Sequence, residues 1–313
     1  MSMMKAARLH NYGGPETIAF EEVARPEPQA GEALVRVRAA AVNPVDWMIA
    51  GGYGKEWWEH QLPLTLGCEF AGVIEAAGAG VTRLKAGDEV YGYVSLRRCG
   101  AYAEYVIARE DEVVAKPSAL DFTAAAAIPV GALTAWQALY DQAGLQPGGR
   151  VLIHAASGGV GSIAVQLAKA NGAEVIGTAS GRNADFVKSL GASEVIDYTA
   201  ARFEEVVQDV DVVFDLIGGE TQERSFNVLK PGGFLVSAVQ PPSPELTAQH
   251  GVRSAMVTVL PNANQLQAIT ELVESGRLRP FIETVLPLSE VQAALKQSQT
   301  GRTRGKIVLQ PKA

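Results

Sequence analysis

The period of the hydrophobic pattern changes part-way along the chain. Through roughly the first 120 residues, short apolar runs alternate with polar positions and are punctuated by glycine and proline. Leu34-Val35-Arg36-Val37-Arg38-Ala39 alternates as a half-buried strand does. Residues 70–76, 89–94 and 101–107 read as further strands, separated by Gly78, Gly80, Gly87 and Asp88. Many short strands of this kind predict a partly closed β-barrel. A helical pattern then covers 121–143, with Pro129 marking an interruption.

From Gly149 the rhythm becomes strand, helix, strand. The predicted strands are 151–154, 174–178, 194–197, 210–216 and 233–239, with another at 252–260. Such alternation predicts a parallel, doubly wound sheet whose ligand sits beyond the carboxyl ends of the strands. Beyond Asn262 come a helix, a strand at 281–286, a helix from Ser289 and a last strand at 305–309. These read as a return to the first domain. The chain is thus an α/β protein of two domains, 1–122 with 262–313 and, inserted, 123–261.

The most informative stretch is VLIHAASGGVG at 151–161. Apolar and β-branched residues end in a small, glycine-rich turn, and SIAVQLAKANG follows with helical apolar spacing. The turn aligns as Ala156-Ser157-Gly158-Gly159-Val160-Gly161, a dinucleotide fingerprint whose first glycine is alanine. A helix N-terminus after such a turn favours an anion, here a pyrophosphate, through its free N–H groups and dipole. The next strand ends at Thr178 rather than at the Asp or Glu that binds adenosine ribose hydroxyls in NAD enzymes. Ala179, Ser180, Gly181, Arg182 and Asn183 follow, with no carboxylate to repel a 2′-phosphate. Ser180 and the donor fork of Arg182 therefore predict NADPH over NADH. The plainer alternative is that Arg182 is an ordinary exposed arginine.

Composition narrows the class. The chain has 313 residues, is 47% hydrophobic and carries a formal net charge of −7. That is enough apolar material for a sizeable core, and a mildly acidic chain without a basic run argues against nucleic acid as a partner. Two cysteines, Cys68 and Cys99, suit a reducing cytosol rather than a disulfide framework. MSMMKAARLHNYGG shows no apolar core of a secretory signal, and the apolar stretch 124–136, broken by Pro129 and Gly131, is expected to be too short to span a bilayer. A cytoplasmic protein with no membrane association is the expectation.

Five segments together resemble the medium-chain dehydrogenase/reductase superfamily, and within it the zinc-independent quinone oxidoreductase-like branch. They are AAVNPVDW at 40–47, LGCEFAGVIEAAGAGVTRLKAGDEVYGY at 66–93, AAAAIPVGALTAWQAL at 124–139, AASGGVGSIAVQLAK at 155–169 and GRTRGKIVL at 301–309. The resemblance implies a chaperonin-10-like β-barrel catalytic domain plus a Rossmann doubly wound parallel sheet. Zinc-dependent relatives place ligands where this chain has Asn43, Cys68 and Val130. The four-cysteine structural zinc lobe is reduced to Cys99. Asn and Val are poor zinc ligands, so no metal is expected.

The resemblance also implies roles for individual residues. Asn43 and Tyr53 would line the cleft beside the nicotinamide, and Tyr53, in the loop GGYGK, could present its phenol to a carbonyl oxygen. Loop packing for Tyr53 and a turn position before Pro44 for Asn43 are the alternatives. Thr134 would touch the nicotinamide ribose, or else bond its own helix backbone. Ser157, Gly158, Gly159, Val160 and Gly161 would meet the pyrophosphate. Thr178, Ser180, Arg182 and Tyr198 would surround the adenosine ribose and its 2′-phosphate, although Tyr198 could equally be buried at a strand end. Ile217 would lie near adenine, and Ser237 and Ala238 would approach the nicotinamide end. Arg304 and Lys306 would reach a cofactor phosphate, with a solvated basic turn as the alternative. Trp57 and Trp58 could wall an aromatic substrate cleft, cover the barrel edge or make a subunit contact.

The expected activity is NADPH-dependent hydride transfer to a quinone or an α,β-unsaturated carbonyl without zinc. An enoyl-thioester reductase and a non-catalytic NADPH-binding sensor are the alternatives. Relatives pair through the edge of the Rossmann sheet, which makes 252–260 the candidate edge of a homodimer.

Overall fold

The computed structural model describes residues 2–312, apart from the side chain of Trp57. The chain divides into two compact units. Unit 1 comprises Met1–Val130, Leu260–Gly276 and Pro280–Ala313, and unit 2 comprises Gly131–Val259 with Arg277–Arg279.

Unit 1 begins with β1 (Met3–Leu9), β2 (Ile18–Ala24), β3 (Glu32–Ala41), the short helices α1 (Pro44–Ala50) and α2 (Lys55–Trp58), and β4 (Leu64–Thr65). It continues with β5 (Glu69–Ala77), β6 (Glu89–Tyr93), β7 (Tyr105–Arg109), β8 (Val113–Ala115) and α3 (Phe122–Ala126). α4 (Pro129–Trp136) starts here and runs on into unit 2. Pro129 marks the interruption expected in the helical pattern, since α3 ends at Ala126, and it opens the second of the two helices. Its missing N–H and fixed φ cost nothing at the first helical position.

Unit 2 is built on β9 (Arg150–Ile153), α5 (Gly159–Ala170), β10 (Glu174–Ala179), α6 (Ala184–Ser189), β11 (Glu194–Asp197) and β12 (Val210–Asp215). It is completed by α7 (Gly219–Ser225), β13 (Leu229–Ser237), α8 (Pro244–Gln249) and β14 (Arg253–Met256). The chain then returns to unit 1 with α9 (Ala263–Glu274), β15 (Ile282–Pro287), α10 (Val291–Gln299) and β16 (Lys306–Gln310).

The sheet of unit 2 has the order β11-β10-β9-β12-β13-β14, and every pairing in it is parallel. This is the doubly wound order, and it reverses direction at β9, where the glycine turn begins. Val151, Leu152 and Ile153 of β9 are all fully buried, as a central strand covered on both faces requires. One side of that core gathers Leu152, Ile176, Phe203, Val213, Phe226 and Leu235. α5 contributes Ile163, Val165 and Leu167, each worth about 1.5–3 kcal/mol of burial.

Unit 1 carries a three-stranded sheet, β2-β1-β4, and a seven-stranded one ordered β15-β16-β3-β5-β6-β8, with β7 also paired to β3. Two antiparallel registers meet on β3. Ala41 pairs with Glu69 of β5 on one side and with Val308 of β16 on the other. The Val42 N–H donates to the Ile307 carbonyl at 2.9 Å, so Lys306 arrives opposite Asn43. Sheet register thus brings together three polar residues that lie far apart in sequence.

Several elements depart from the pattern-based reading. The strand expected over 101–107 begins only at Tyr105, and that over 252–260 spans only Arg253–Met256. The helical run Phe122–Gln142 is 21 residues long, and by length and composition it passes for a membrane span. It was expected to be too short. Most of its apolar surface is instead buried inside the protein.

Candidate active site

The end of β3, the start of α1, the start of β5 and β16 enclose a polar centre in unit 1. Glu69 is fully buried. Its Oε1 accepts from Asn43 Nδ2 at 2.9 Å and from the Lys306 ammonium, and its Oε2 accepts from the Val130 N–H at 2.8 Å. Lys306 Nζ also donates to Asn43 Oδ1 at 2.7 Å. Both ends of the Asn43 amide are therefore engaged inside the protein, and Asn43 is only 4% exposed. One turn further on, Asp46 Oδ2 accepts from the Asn43 N–H at 2.7 Å and from the Tyr102 hydroxyl at 2.6 Å. Asp46 Oδ1 is buried with no hydrogen-bond partner. Burial pushes the Asp46 carboxyl up to about 7, against the lowering effects of Tyr102, Asn43 and Lys306. Burial, with Asp46 next in effect, pushes the Cys68 thiol well above its ordinary value.

The same helix leads to the candidate proton donor. Pro44 starts α1, Asn43 is its N-cap, and the helix ends at Gly51. The Tyr53 N–H donates back to the Met48 carbonyl at 2.9 Å, which ties the loop to the last turn of α1. The Tyr53 ring is 36% exposed and meets Trp58 edge-on, with centroids 5.9 Å apart. Trp58 also stacks obliquely with His60, whose Nε2 bonds the Leu96 carbonyl at 2.7 Å. Trp58 thus packs against Tyr53, while the role expected of the Trp57 side chain lies outside the described residues.

In unit 2 the glycine turn leads directly into a helix N-terminus. β9 ends at Ile153, Gly158 is the N-cap of α5, and Gly159, Val160 and Gly161 form its first turn. The N–H groups of a first turn have no acceptor within their own helix. A Cβ on Gly161 would lie 2.2 Å from the Ala155 carbonyl oxygen, so only glycine lets the helix pack this close. Ala156, in place of the first glycine, is fully buried, and its N–H donates to the Thr178 carbonyl at 2.9 Å. Its methyl group fits because Gly177 has none: a Cβ there would lie 2.9 Å from that of Ala156.

At the end of β10 the Thr178 side chain turns inward. It is 4% exposed, and its hydroxyl pairs with His154 Nδ1 at 3.0 Å. Ser180 and Ser157 both accept from Asn183 Nδ2 at 3.3 Å, so the two serines share one clip. Arg182 is exposed, and Tyr198 is 63% exposed rather than buried. The loop is not free of nearby carboxylates, although its own sequence suggests that it is. The segment 178–183 has no carboxylate of its own, but Ala179 pairs with Asp197 of the neighbouring strand. Asp197 is held below the usual carboxylate range by the Thr199 hydroxyl and by the Thr199 and Gly181 N–H groups. A negative charge therefore stands beside the loop.

A further organiser carried no sequence signal beyond its place at the end of an apolar strand. Asp215, fully buried, accepts from the Ile217 and Gly218 N–H groups at 3.0 and 2.9 Å. It also accepts from Gln222 Nε2 at 2.9 Å and from the Ser237 hydroxyl at 2.8 Å. This one carboxylate fixes the loop after β12, including the 52%-exposed Ile217, and the end of β13 with Ser237 and Ala238. Thr134, 6% exposed, lies on α4. In unit 1, Arg304 is exposed and its N–H donates to Glu283 at 3.2 Å. Lys306 does not extend to solvent as a phosphate ligand should. It is 5% exposed and committed to Glu69 and Asn43, because its strand position on β16 faces the polar centre.

Comparison with known proteins accords with this geometry. Residues 29–118 match the family described as alcohol dehydrogenase GroES-like domain, and 190–309 match zinc-binding dehydrogenase. The structure of the quinone oxidoreductase from Coxiella burnetii superposes with a TM-score of 0.93 at 35% identity, covering 99% of this chain and 100% of that one. The chain belongs to the medium-chain dehydrogenase/reductase superfamily, in its quinone-oxidoreductase-like branch. It is an oxidoreductase with a GroES-like β unit and a Rossmann-type sheet. The tomato (Solanum lycopersicum) 2-methylene-furan-3-one reductase is 36% identical over 99% of this chain and 80% of its own length. The mouse (Mus musculus) mitochondrial NAD(P)H oxidoreductase RTN4IP1 is 34% identical over 98% and 89%.

Zinc is the metal that one family description implies, and the donor set does not suit it. Asn43 Oδ1 already receives an ammonium, the Cys68 thiol is disfavoured as thiolate, and Val130 offers only hydrocarbon. Among the described residues no group of three or more His, Cys, Asp and Glu side chains could hold a metal ion. The nicotinamide cofactor fits better: the first turn of α5, the serine clip and the loops held by Asp215 are all of the right kind.

Proposed function

We propose that this enzyme reduces an electron-poor conjugated carbonyl, a quinone or an enone, with hydride from NADPH and without a metal ion. The observation that carries the proposal is the closure of the polar centre by Lys306 on Glu69 and Asn43. Without a Lewis acid, an alkoxide has no partner to stabilise it, which disfavours alcohol oxidation. A quinone or enone is activated already and needs only a positioned hydride and a donor for the developing oxyanion.

NADPH supplies the hydride when bound. The N–H groups of Gly159, Val160 and Gly161 receive the pyrophosphate, with Ser157 and Gly158 shaping the turn. Ser180, Arg182 and Tyr198 hold the 2′-phosphate, whose charge Arg182 balances against nearby Asp197. Thr178 serves this site through its backbone. Ile217 borders adenine, Thr134 the nicotinamide ribose, Ser237 and Ala238 the nicotinamide end, and Arg304 a phosphate. The Tyr53 phenol donates to the substrate oxygen, and Asn43 shapes the floor of that site. For an enone, hydride adds at the β-carbon and a proton follows at the α-carbon. For a quinone, hydride and proton together give the hydroquinone. The name of the tomato relative favours the first outcome. The reading extends to a cytoplasmic homodimer, with the edge strand at 252–260 as the pairing element.

The experiment compares kcat/KM for NADPH and NADH, with 9,10-phenanthrenequinone as acceptor, in the wild type and in Arg182→Ala. The wild type is expected to favour NADPH. Loss of one charge-assisted contact should cost NADPH about 10- to 100-fold and leave NADH unchanged. Equal use of both cofactors by the wild type would sink the NADPH assignment. Tyr53→Phe should lower kcat about tenfold or more with the KM for NADPH unchanged. An unchanged kcat would remove Tyr53 from the chemistry.

A further inference from the structure

The buried centre around Glu69 is more elaborate than stability alone requires. Replacing a buried ion pair by well-packed apolar groups is often neutral or stabilising, so such a pair calls for a specific reason. Here Glu69 and Lys306 are 0% and 5% exposed, and their remaining valences are spent on Asn43 and the Val130 N–H. Glu69 thereby ties together the start of α1, the start of β5, β16 and the first turn of α4. From Asn43 the connection to Tyr53 is short and continuous. Asn43 caps α1, Asp46 in its first turn is fastened to Tyr102 at 2.6 Å, and the far end of the helix accepts the Tyr53 N–H at Met48.

We propose that Lys306 is the fixed cation of this centre and a positioning residue: by holding the Asn43 amide against Glu69, it sets α1 and the loop that presents Tyr53. Asn43 alone could flip its amide or turn to solvent. With the ammonium on Oδ1 and a carboxylate oxygen on Nδ2, it has one orientation. Without Lys306, Glu69 becomes an uncompensated buried charge, and both the cap and the Val130 contact loosen. The proposal rests on the proposed function only in taking Tyr53 to face substrate.

The test is amide hydrogen exchange across residues 43–54 in Lys306→Ala, without substrate, and then with ethylammonium added to refill the vacated site. Exchange in this segment is expected to rise about tenfold or more while the core strand Arg150–Ile153 stays protected. Ethylammonium should restore protection, and tetramethylammonium, which has no N–H to donate, should not. In the same variant kcat should fall about tenfold or more with the KM for NADPH changed less than about threefold. If Lys306→Ala does not fold, the double variant Glu69→Gln with Lys306→Met removes both charges at similar volume. Loosened exchange over 43–54 in that variant supports the positioning role. Wild-type protection there, or in Lys306→Ala, overturns it. Should the wild type reduce no quinone or enone, the proposed function fails while the exchange result still decides the role of Lys306.

Discussion

Two buried ionisable side chains, His154 and Asp46, respond to acid in opposite directions. His154 bonds Thr178 and Ser225 through its two ring nitrogens and packs edge-on against Phe203. Burial lowers it from 6.5 to about 4, so it is neutral in the folded protein. Its contribution is fully present above pH 6.5 and is lost as pH falls toward 4. Asp46 is raised from 3.8 to about 7, so its contribution is fully present below pH 3.8 and is lost as pH rises through 7. Asp46→Asn removes the second effect and keeps the shape. Between pH 5 and pH 8 the variant should gain about 2–3 kcal/mol relative to the wild type, read by urea unfolding at each pH. Parallel pH profiles would show that Asp46 is ionised throughout that range. Residue chemistry was only partly legible in the sequence. The glycine turn announces itself by local pattern, and the structure places it at the start of α5. A basic residue in GRTRGK fits a phosphate ligand and a solvated turn equally, and only strand register turns Lys306 inward. Asp215 gave no signal, since one Asp at the end of an apolar strand is as consistent with a turn as with a four-bond organiser.

At the scale of elements, the parallel strands of unit 2 were read best, because a buried strand is a continuous apolar run closed by glycine or a polar residue. β1 and β2 went unread. β2 alternates buried Ile18 with exposed or half-buried positions, and Phe20 is 40% exposed, so its apolar residues do not mark one face. The turn after β9 and the strand β10 exchange a glycine. Ala156 occupies the first-glycine position because Gly177 opposite leaves room. A methyl group on Gly177 would lie 2.9 Å from both the Ala156 Cβ and Val187 Cγ1. Gly177→Ala should therefore destabilise the protein by about 1–3 kcal/mol, measured by denaturant unfolding. The compensating pair Gly177→Ala with Ala156→Gly should recover most of that loss. No recovery would mean that Val187, not Ala156, sets the limit.

At the scale of the molecule, two units divide the labour. Unit 2 holds a parallel sheet with a glycine turn at its switch point, and unit 1 holds a buried ion pair, a capped helix and an aromatic loop. Fold and family were legible because several long segments agreed at once. The cofactor's phosphate preference and the metal question were less so, since each turns on where one side chain points. The most direct test of the whole is NADPH oxidation, followed by loss of its near-ultraviolet absorbance, in metal-chelated enzyme. The acceptors are 9,10-phenanthrenequinone, 1,4-benzoquinone, a simple 2-alkenal and crotonyl-CoA in parallel, with NADH as the control cofactor. Turnover of a quinone or the alkenal with NADPH, undiminished by the chelator, is the expected result. Activity abolished by chelation and restored by zinc, or tight NADPH binding with no acceptor reduced, would contradict metal-free hydride transfer.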